Sequence, residues 1–335
     1  IIMILYSVVS SMIIGSIEFD YIKAGFRLIV FLTIMLFFLT EKSEIFTLFK
    51  IVVVATIVGS GYDLFNYVVS GNYQSSLPFG MGTKFLWHIY AGGVYSIVAI
   101  ISAHLAFMGR NRTEKILYSV SCVYLSALVY LSQSRAAILC YLLSIMIYLL
   151  LSKRVNIKYG LIALITFSLI VGVVNSHIYK FTSFLDRKDA GRLEIWNNSL
   201  AILKGKILFG HGLGENFFVK YSSGSVTEPH NLYLYVIFTG GLVCFSLLLI
   251  LYWMAIKAIF HNWCPDLGPF MAAILLFIIT FNFFDSRMVV DDIGVGWHLF
   301  WFPIGLVAAF ASFQNPVKYT DATVENSVES SKASN

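Results

Sequence analysis

The sequence predicts an all-α, polytopic integral membrane protein, and three observations predict it. Of the 335 residues, 58% are hydrophobic and only 12% charged, about half the charged share of a soluble globular protein. The mean hydropathy is +0.80. Several apolar runs approach or reach the roughly 20 residues that a helix needs to cross a bilayer, and none alternates polar and apolar residues as barrel strands do.

Taken in order, the apolar runs define about ten transmembrane helices: 1–15, 21–40, 45–62, 86–109, 116–132, 136–151, 157–175, 232–256, 267–284 and 294–313. The chain begins at Ile1 rather than Met, with no basic stretch ahead of the first apolar run. A signal peptide needs such a stretch, so we expect a span, preceded by a segment that processing or truncation has removed, truncation being the preferred reading.

Basic residues in the short loops set the orientation. Lys42, Lys50, Arg110, Arg112, Lys115, Lys153, Arg154, Lys158 and Lys257 fall on one side. Lys23, Arg27, Lys84, Arg135 and Arg287 fall on the other. The nine-residue side is expected to face the cytoplasm. Four segments follow: N-terminal spans over 1–175, an outer loop over 176–231, C-terminal spans over 232–313 and a polar cytoplasmic tail over 314–335, with the composition of a disordered segment. In a compact protein one long loop is usually either functional or disordered. No basic block suggests nucleic acid. Cys122, Cys140 and Cys244 lie within apolar runs and Cys264 in a loop, a pattern of packing residues rather than of a disulfide framework.

The outer loop ends in TEPHNLYLYVIFTGGLVCF, where Pro229, His230 and Asn231 stand at the mouth of a span. Proline suits a helix start, Asn231 suits capping it or orienting the imidazole, and an imidazole suits general base work near neutral pH. Within SQSRAAIL, Arg135 opens a helix after Ser132 or Ser134, at the outer membrane face. There a guanidinium either snorkels to lipid phosphate or clasps a substrate phosphate in a fork. Within AGRLEIWNNSLAILKGK, Arg192 opens an amphipathic helix. Leu193, Trp196, Leu200 and Leu203 form its apolar stripe, which is expected to lie in the membrane interface and end at Gly205. GHGLG then makes a turn, with His211 a secondary candidate. Arg27 and Arg287 are further outer-side candidates. Asp285, Asp291 and Asp292 are weighed as ligands of a divalent cation, with a solvated loop the alternative. His88, His104, His177, His261 and His298 are read as structural.

These motifs resemble those of the bacterial O-antigen ligase and O-antigen polymerase superfamily. The family pattern is His, then Asn, Ser or Gln, nine residues, and Gly-x-x-Gly. His230, Asn231 and Gly241 fit it, whereas Cys244 stands in the place of the last glycine. The resemblance implies a GT-C-like fold of about twelve spans and an inverting glycosyltransferase of the bacterial inner membrane, acting at its periplasmic side without metal or other cofactor. It implies a donor glycan linked to undecaprenyl diphosphate. By position, His230 corresponds to the general base, and Arg135 and Arg192 to the ligands of the pyrophosphate. A ligase passes the glycan to a lipid A-core acceptor; a polymerase passes it to another lipid-linked repeat. The tidy PHN motif beside a single modest outer loop favours the ligase. A transporter for the same lipid-linked glycan would want charges at mid-membrane, but here they gather at the outer face.

Overall fold

The computed structural model describes residues 1–16, 19–69, 88–152, 191–284, 289–291, 293–294 and 296–313. Helices dominate, and polar side chains placed at their ends explain several boundaries. The chain runs through α1 (Ile2–Ile14), α2 (Phe19–Phe38), α3 (Lys42–Val69), α4 (His88–Met108), α5 (Arg112–Leu131) and α6 (Arg135–Leu151). A short helix α7 (Arg192–Ile202) and a hairpin of β1 (Val219–Tyr221) and β2 (Gly224–Val226) follow. Last come α8 (Leu232–His261), α9 (Gly268–Phe284), a π-helical turn (Trp297–Trp301) and α10 (Phe302–Phe313).

At the start of α5, Asn111 accepts the N–H of Glu114 at 2.8 Å, while the Glu114 carboxylate accepts the N–H of Arg110 at 2.9 Å. The first bond satisfies an N–H that a helix start leaves without an intrahelical partner, and the second ties the preceding residue back onto the first turn. α6 starts on Ser134, whose hydroxyl accepts from Ala137 N–H at 3.3 Å. α1 closes on Gly15 in the left-handed region, φ 76°.

Among the described residues, five helices are long and apolar enough to cross a membrane: α2, residues 42–66 of α3, residues 89–108 of α4, α5 and α8. Shorter apolar helices are α1, α6, α9 and residues 297–312. The central strut is α4, where 83% of the most apolar stretch is buried against 22% in α2 and in α3. α2 and α3 therefore present most of their surface outward, as lipid-facing helices do. Gly92 and Gly93 let the neighbours of α4 come close. A Cβ at Gly92 would stand 2.5 Å from Ser132 Oγ, and one at Gly93 2.9 Å from Phe281 and Leu299. The main core joins these helices through Phe49, Tyr95, Tyr148, Phe270 and Phe277.

Several expected boundaries move. α3 extends beyond 45–62 at both ends, and α8 runs on to His261. Polar residues such as Asp63 and Lys257 belong to these helices but were read as flanks, because a hydropathy run ends before the helix does. The expected span 157–175, the first part of the outer loop and the tail 314–335 lie outside the described residues.

Candidate functional site

His230 is the residue before the cap of α8. Asn231 is extended, 3% exposed, and its side chain accepts Leu234 N–H at 3.1 Å. Capping uses this side chain, so Asn231 fixes the helix start. One residue earlier, His230 has φ 49°. The left-handed region costs a non-glycine residue about 1–2 kcal/mol, so the surroundings must hold it. One such hold is visible: the indole of Trp196 donates to the carbonyl of Pro229 at 3.0 Å. His230 is thus pinned between a clamped proline and a capping asparagine, with its own side chain half-buried.

Trp196 belongs to α7, and Arg192 begins that helix one turn earlier on the same face. A single clamp therefore brings the start of α7 to the start of α8. The face that α7 buries differs from the expected stripe. Ile195, Ser199 and Leu203 turn inward, whereas Leu193 and Leu200 are 61% and 52% exposed. Residues four apart share a helix face. Here that face meets a second small core of Phe217, Val219, Tyr235 and Phe238, and this partner is invisible in the sequence of α7 alone. The helix ends at Ile202 rather than Gly205. The hairpin, which sequence reading missed, lies over α7. Ser222 donates from both its N–H and its hydroxyl to Glu194, each at 2.7 Å, and Asn198 donates to the carbonyl of Lys220 at 2.8 Å.

Arg135 is the first residue of α6, half-buried, beyond a tight turn in which Gln133 has φ 53°. α6 runs beside α9. Cys140, five residues into α6, meets Thr280, four residues from the end of α9, so the two are antiparallel. The end of α9 in turn carries Phe283, whose ring lies 5.3 Å from that of Trp196. Tyr233 donates to the carbonyl of Ile279 at 2.7 Å. Arg135, Arg192 and His230 consequently lie at one end of the bundle, and the end of α9 links them.

GHGLG proves to have a structural task. α8 is broken at Gly241, where φ is 66° and ψ −168°. A break in an apolar helix leaves carbonyls and N–H groups without partners, which is costly away from water. The 207–212 segment and α1 supply them. His211 and Gly212 donate their N–H groups to the carbonyls of Phe238 and Thr239 at 2.7 and 2.9 Å. Tyr6 donates to the carbonyl of Gly240 at 3.1 Å. Beyond the break, Leu242 and Val243 donate to the carbonyls of Ile207 and Leu208 at 2.9 and 3.4 Å. A Cβ at Gly241 would stand 2.1 Å from the Leu208 carbonyl oxygen, and one at Gly210 2.7 Å from the backbone of Gly240. Cys244, in the place of the family's last glycine, is buried with its sulfur 3.4 Å from the Ser7 hydroxyl. The His211 ring stacks on Phe238, centroids 4.7 Å apart. Since Phe238 lies two turns into α8, His211 stands about 10 Å along the helix from His230.

Arg27 is exposed on α2. Arg287, Asp285 and Asp292 lie outside the described residues. Asp291 is half-buried, and its carbonyl accepts from the indole of Trp297 at 3.2 Å. Among the described residues no group of three His, Cys, Asp or Glu is placed to hold a metal. His104 is fully buried among Phe46, Phe49 and Phe270, with Nδ1 3.1 Å from the Tyr148 hydroxyl.

The chemistry this end of the bundle offers is that of two guanidiniums and an imidazole. The guanidiniums suit phosphate oxygens bidentately; the imidazole suits accepting a proton. No curated protein and no solved structure matches the chain. The family described as O-antigen ligase, whose members are glycosyltransferase-like enzymes, has a model that matches residues 120–249, from α5 to the second half of α8. That matched stretch, which is similar to the O-antigen ligase family, contains Arg135, Arg192 and His230.

Proposed function

We propose that the protein is an O-antigen ligase. In this reading it transfers a glycan from undecaprenyl diphosphate to a hydroxyl of a lipid A-core acceptor, at the periplasmic side of the inner membrane. His230 removes the proton from the acceptor hydroxyl. The oxygen attacks the anomeric carbon from the face opposite the leaving group, a new glycosidic bond forms, and the bond to the diphosphate breaks with inversion. Arg135 and Arg192 hold the diphosphate and offset the charge that grows on it, the role that fixed cations play in electrostatic catalysis. Undecaprenyl diphosphate leaves, and the proton on His230 passes to solvent.

The observation that carries this reading is the start of α8: a histidine held in the left-handed region, at the bundle end that also carries the two arginines. A positioned general base contributes about 10²–10⁴-fold to rate. His230→Gln keeps a polar side chain of similar size, so turnover of lipid-linked donor should fall by that factor while expression and donor binding persist. Near-normal turnover would remove His230 from the reaction. A strain lacking the protein should accumulate long lipid-linked glycan. Accumulation of single repeats would instead assign the polymerase reaction, in which the acceptor is another lipid-linked repeat. With arginines carrying the charge, transfer by the purified protein should survive excess EDTA. Loss that Mg²⁺ restores would move Asp291 and its neighbours into the site.

A further inference from the structure

The opposite end of the bundle holds a polar cavity. α5 separates the two ends, with Arg110 just before it, Glu114 in its first turn and Arg135 just beyond its far end, about 30 Å for its 20 residues. The cavity is a crevice of about 570 Å³ between the start of α3, the α4–α5 turn and the α8–α9 loop. Its charged lining is Lys42, Lys50, Arg110, Glu114 and Asp266, and the side chain of Lys115 packs over its Gly109 wall. The lining itself sets three cations against two carboxylates, a net charge of +1, and Lys115 stands beside it as a further cation.

The two carboxylates hold two of the cations in place. Lys42 pairs with Asp266, and Lys50 pairs with Glu114 at 3.2 Å. Each ammonium has three donors and spends one on its carboxylate, and both lysine side chains keep over 40% of their surface open. Arg110 gives its backbone N–H to Glu114 and is exposed at the rim, as is Lys115. Below this ring of charge the lining turns apolar, with Phe46, Leu105 and Met108. One turn onward, Val54 follows Lys50 and Leu117 follows Glu114, and these apolar side chains are 57% and 56% exposed. A charged crevice thus opens onto bare apolar helix.

That sequence of surfaces, cationic, then apolar, then exposed apolar along two helices, has the order of an anionic phospholipid from phosphate to acyl chain. We propose that this crevice binds the headgroup of an anionic phospholipid, with its chains lying along α3 and α5. The crevice lies at the end that the basic-residue bias assigns to the cytoplasm. Cytoplasmic leaflets are anionic, and basic pockets between membrane helices on that side suit such headgroups.

The test uses the full chain in neutral detergent, with thermal unfolding followed on titration of short-chain phosphatidylglycerol, short-chain phosphatidylcholine and inorganic phosphate. Phosphatidylglycerol should stabilise at lower concentration than phosphatidylcholine, and 0.5 M NaCl should shrink the difference. Each basic side chain near an anionic lipid weighs roughly fivefold in affinity. Arg110→Gln, at an exposed rim position, should therefore weaken phosphatidylglycerol about fivefold and leave phosphatidylcholine unchanged. Adding Lys115→Gln should weaken it about 25-fold if the two act independently. Equal binding of the two lipids by the wild-type protein would overturn the proposal. So would a preference that survives the double substitution, or phosphate alone stabilising as well as phosphatidylglycerol. None of these readouts involves glycosyl transfer, so the outcome leaves the reading of the opposite end untouched.

Discussion

At Arg135 and Arg192 the distinction between a charge and a fork becomes measurable. Both are first residues of helices, α6 and α7, where N–H groups without intrahelical partners also attract an anion. If each clasps the diphosphate through two parallel N–H groups, Arg135→Lys keeps the charge but loses the fork. Donor KM should rise and rescue should be partial relative to Arg135→Ala. Wild-type kinetics in Arg135→Lys would contradict direct diphosphate recognition. Because both arginines would grip one group, losses in the Arg135→Ala/Arg192→Ala pair should fall short of the sum of the single losses.

Among the elements, α8 carries the most specific demand on sequence. At Gly241 a side chain would meet the Leu208 carbonyl and would also have to adopt φ 66°. Gly241→Ala should therefore destabilise the protein by at least about 2 kcal/mol in detergent unfolding, from left-handed strain and loss of the clamp. Gly61 is the matched contrast. It sits in the interior of α3 with nothing within 4 Å of the space its Cβ would fill. Gly61→Ala should be stabilising by up to about 1 kcal/mol, the helix propensity difference. Equal effects at the two sites would mean that the break in α8 is not held as described. The pair also shows what could be read from the sequence and what could not. Helices α1 to α6 and α9 were legible, because apolar run length and capping residues are local signals. The break was not, since a hydropathy run averages across Gly240 and Gly241, and the groups that repair it come from residues 207–212 and Tyr6. The places of Arg135 and Arg192 as first residues of helices, and of His230 and Asn231 at the start of α8, were legible through their motifs. Trp196 was visible only as an apolar position, because its bond to the Pro229 carbonyl depends on which face of α7 is buried.

Across the whole molecule, the two polar ends make opposite predictions about sidedness. If the Lys42–Arg110 end faces the cytoplasm, as the basic bias predicts, the hairpin turn of Ser222 and Ser223 faces the periplasm. Ser223 is the better reporter, because the Ser222 hydroxyl is bonded to Glu194. A cysteine placed at Ser223 should react with a membrane-impermeant reagent once the outer membrane is opened. Reaction only after lysis of the inner membrane would reverse the molecule and overturn the periplasmic mechanism.

The break in α8 also works as a ruler. Between the capping Asn231 and the clamped Gly241 run nine residues, two and a half turns, a stretch of about 13.5 Å fixed at both ends. Adding or deleting one residue there would swing His230 by about 100° around the helix axis and shift it about 1.5 Å along it. Beyond Gly241 the same change would leave His230 where it stands. Length is therefore constrained between the cap and the break, so drift in chain length should be rarer there than in the part of α8 beyond Gly241.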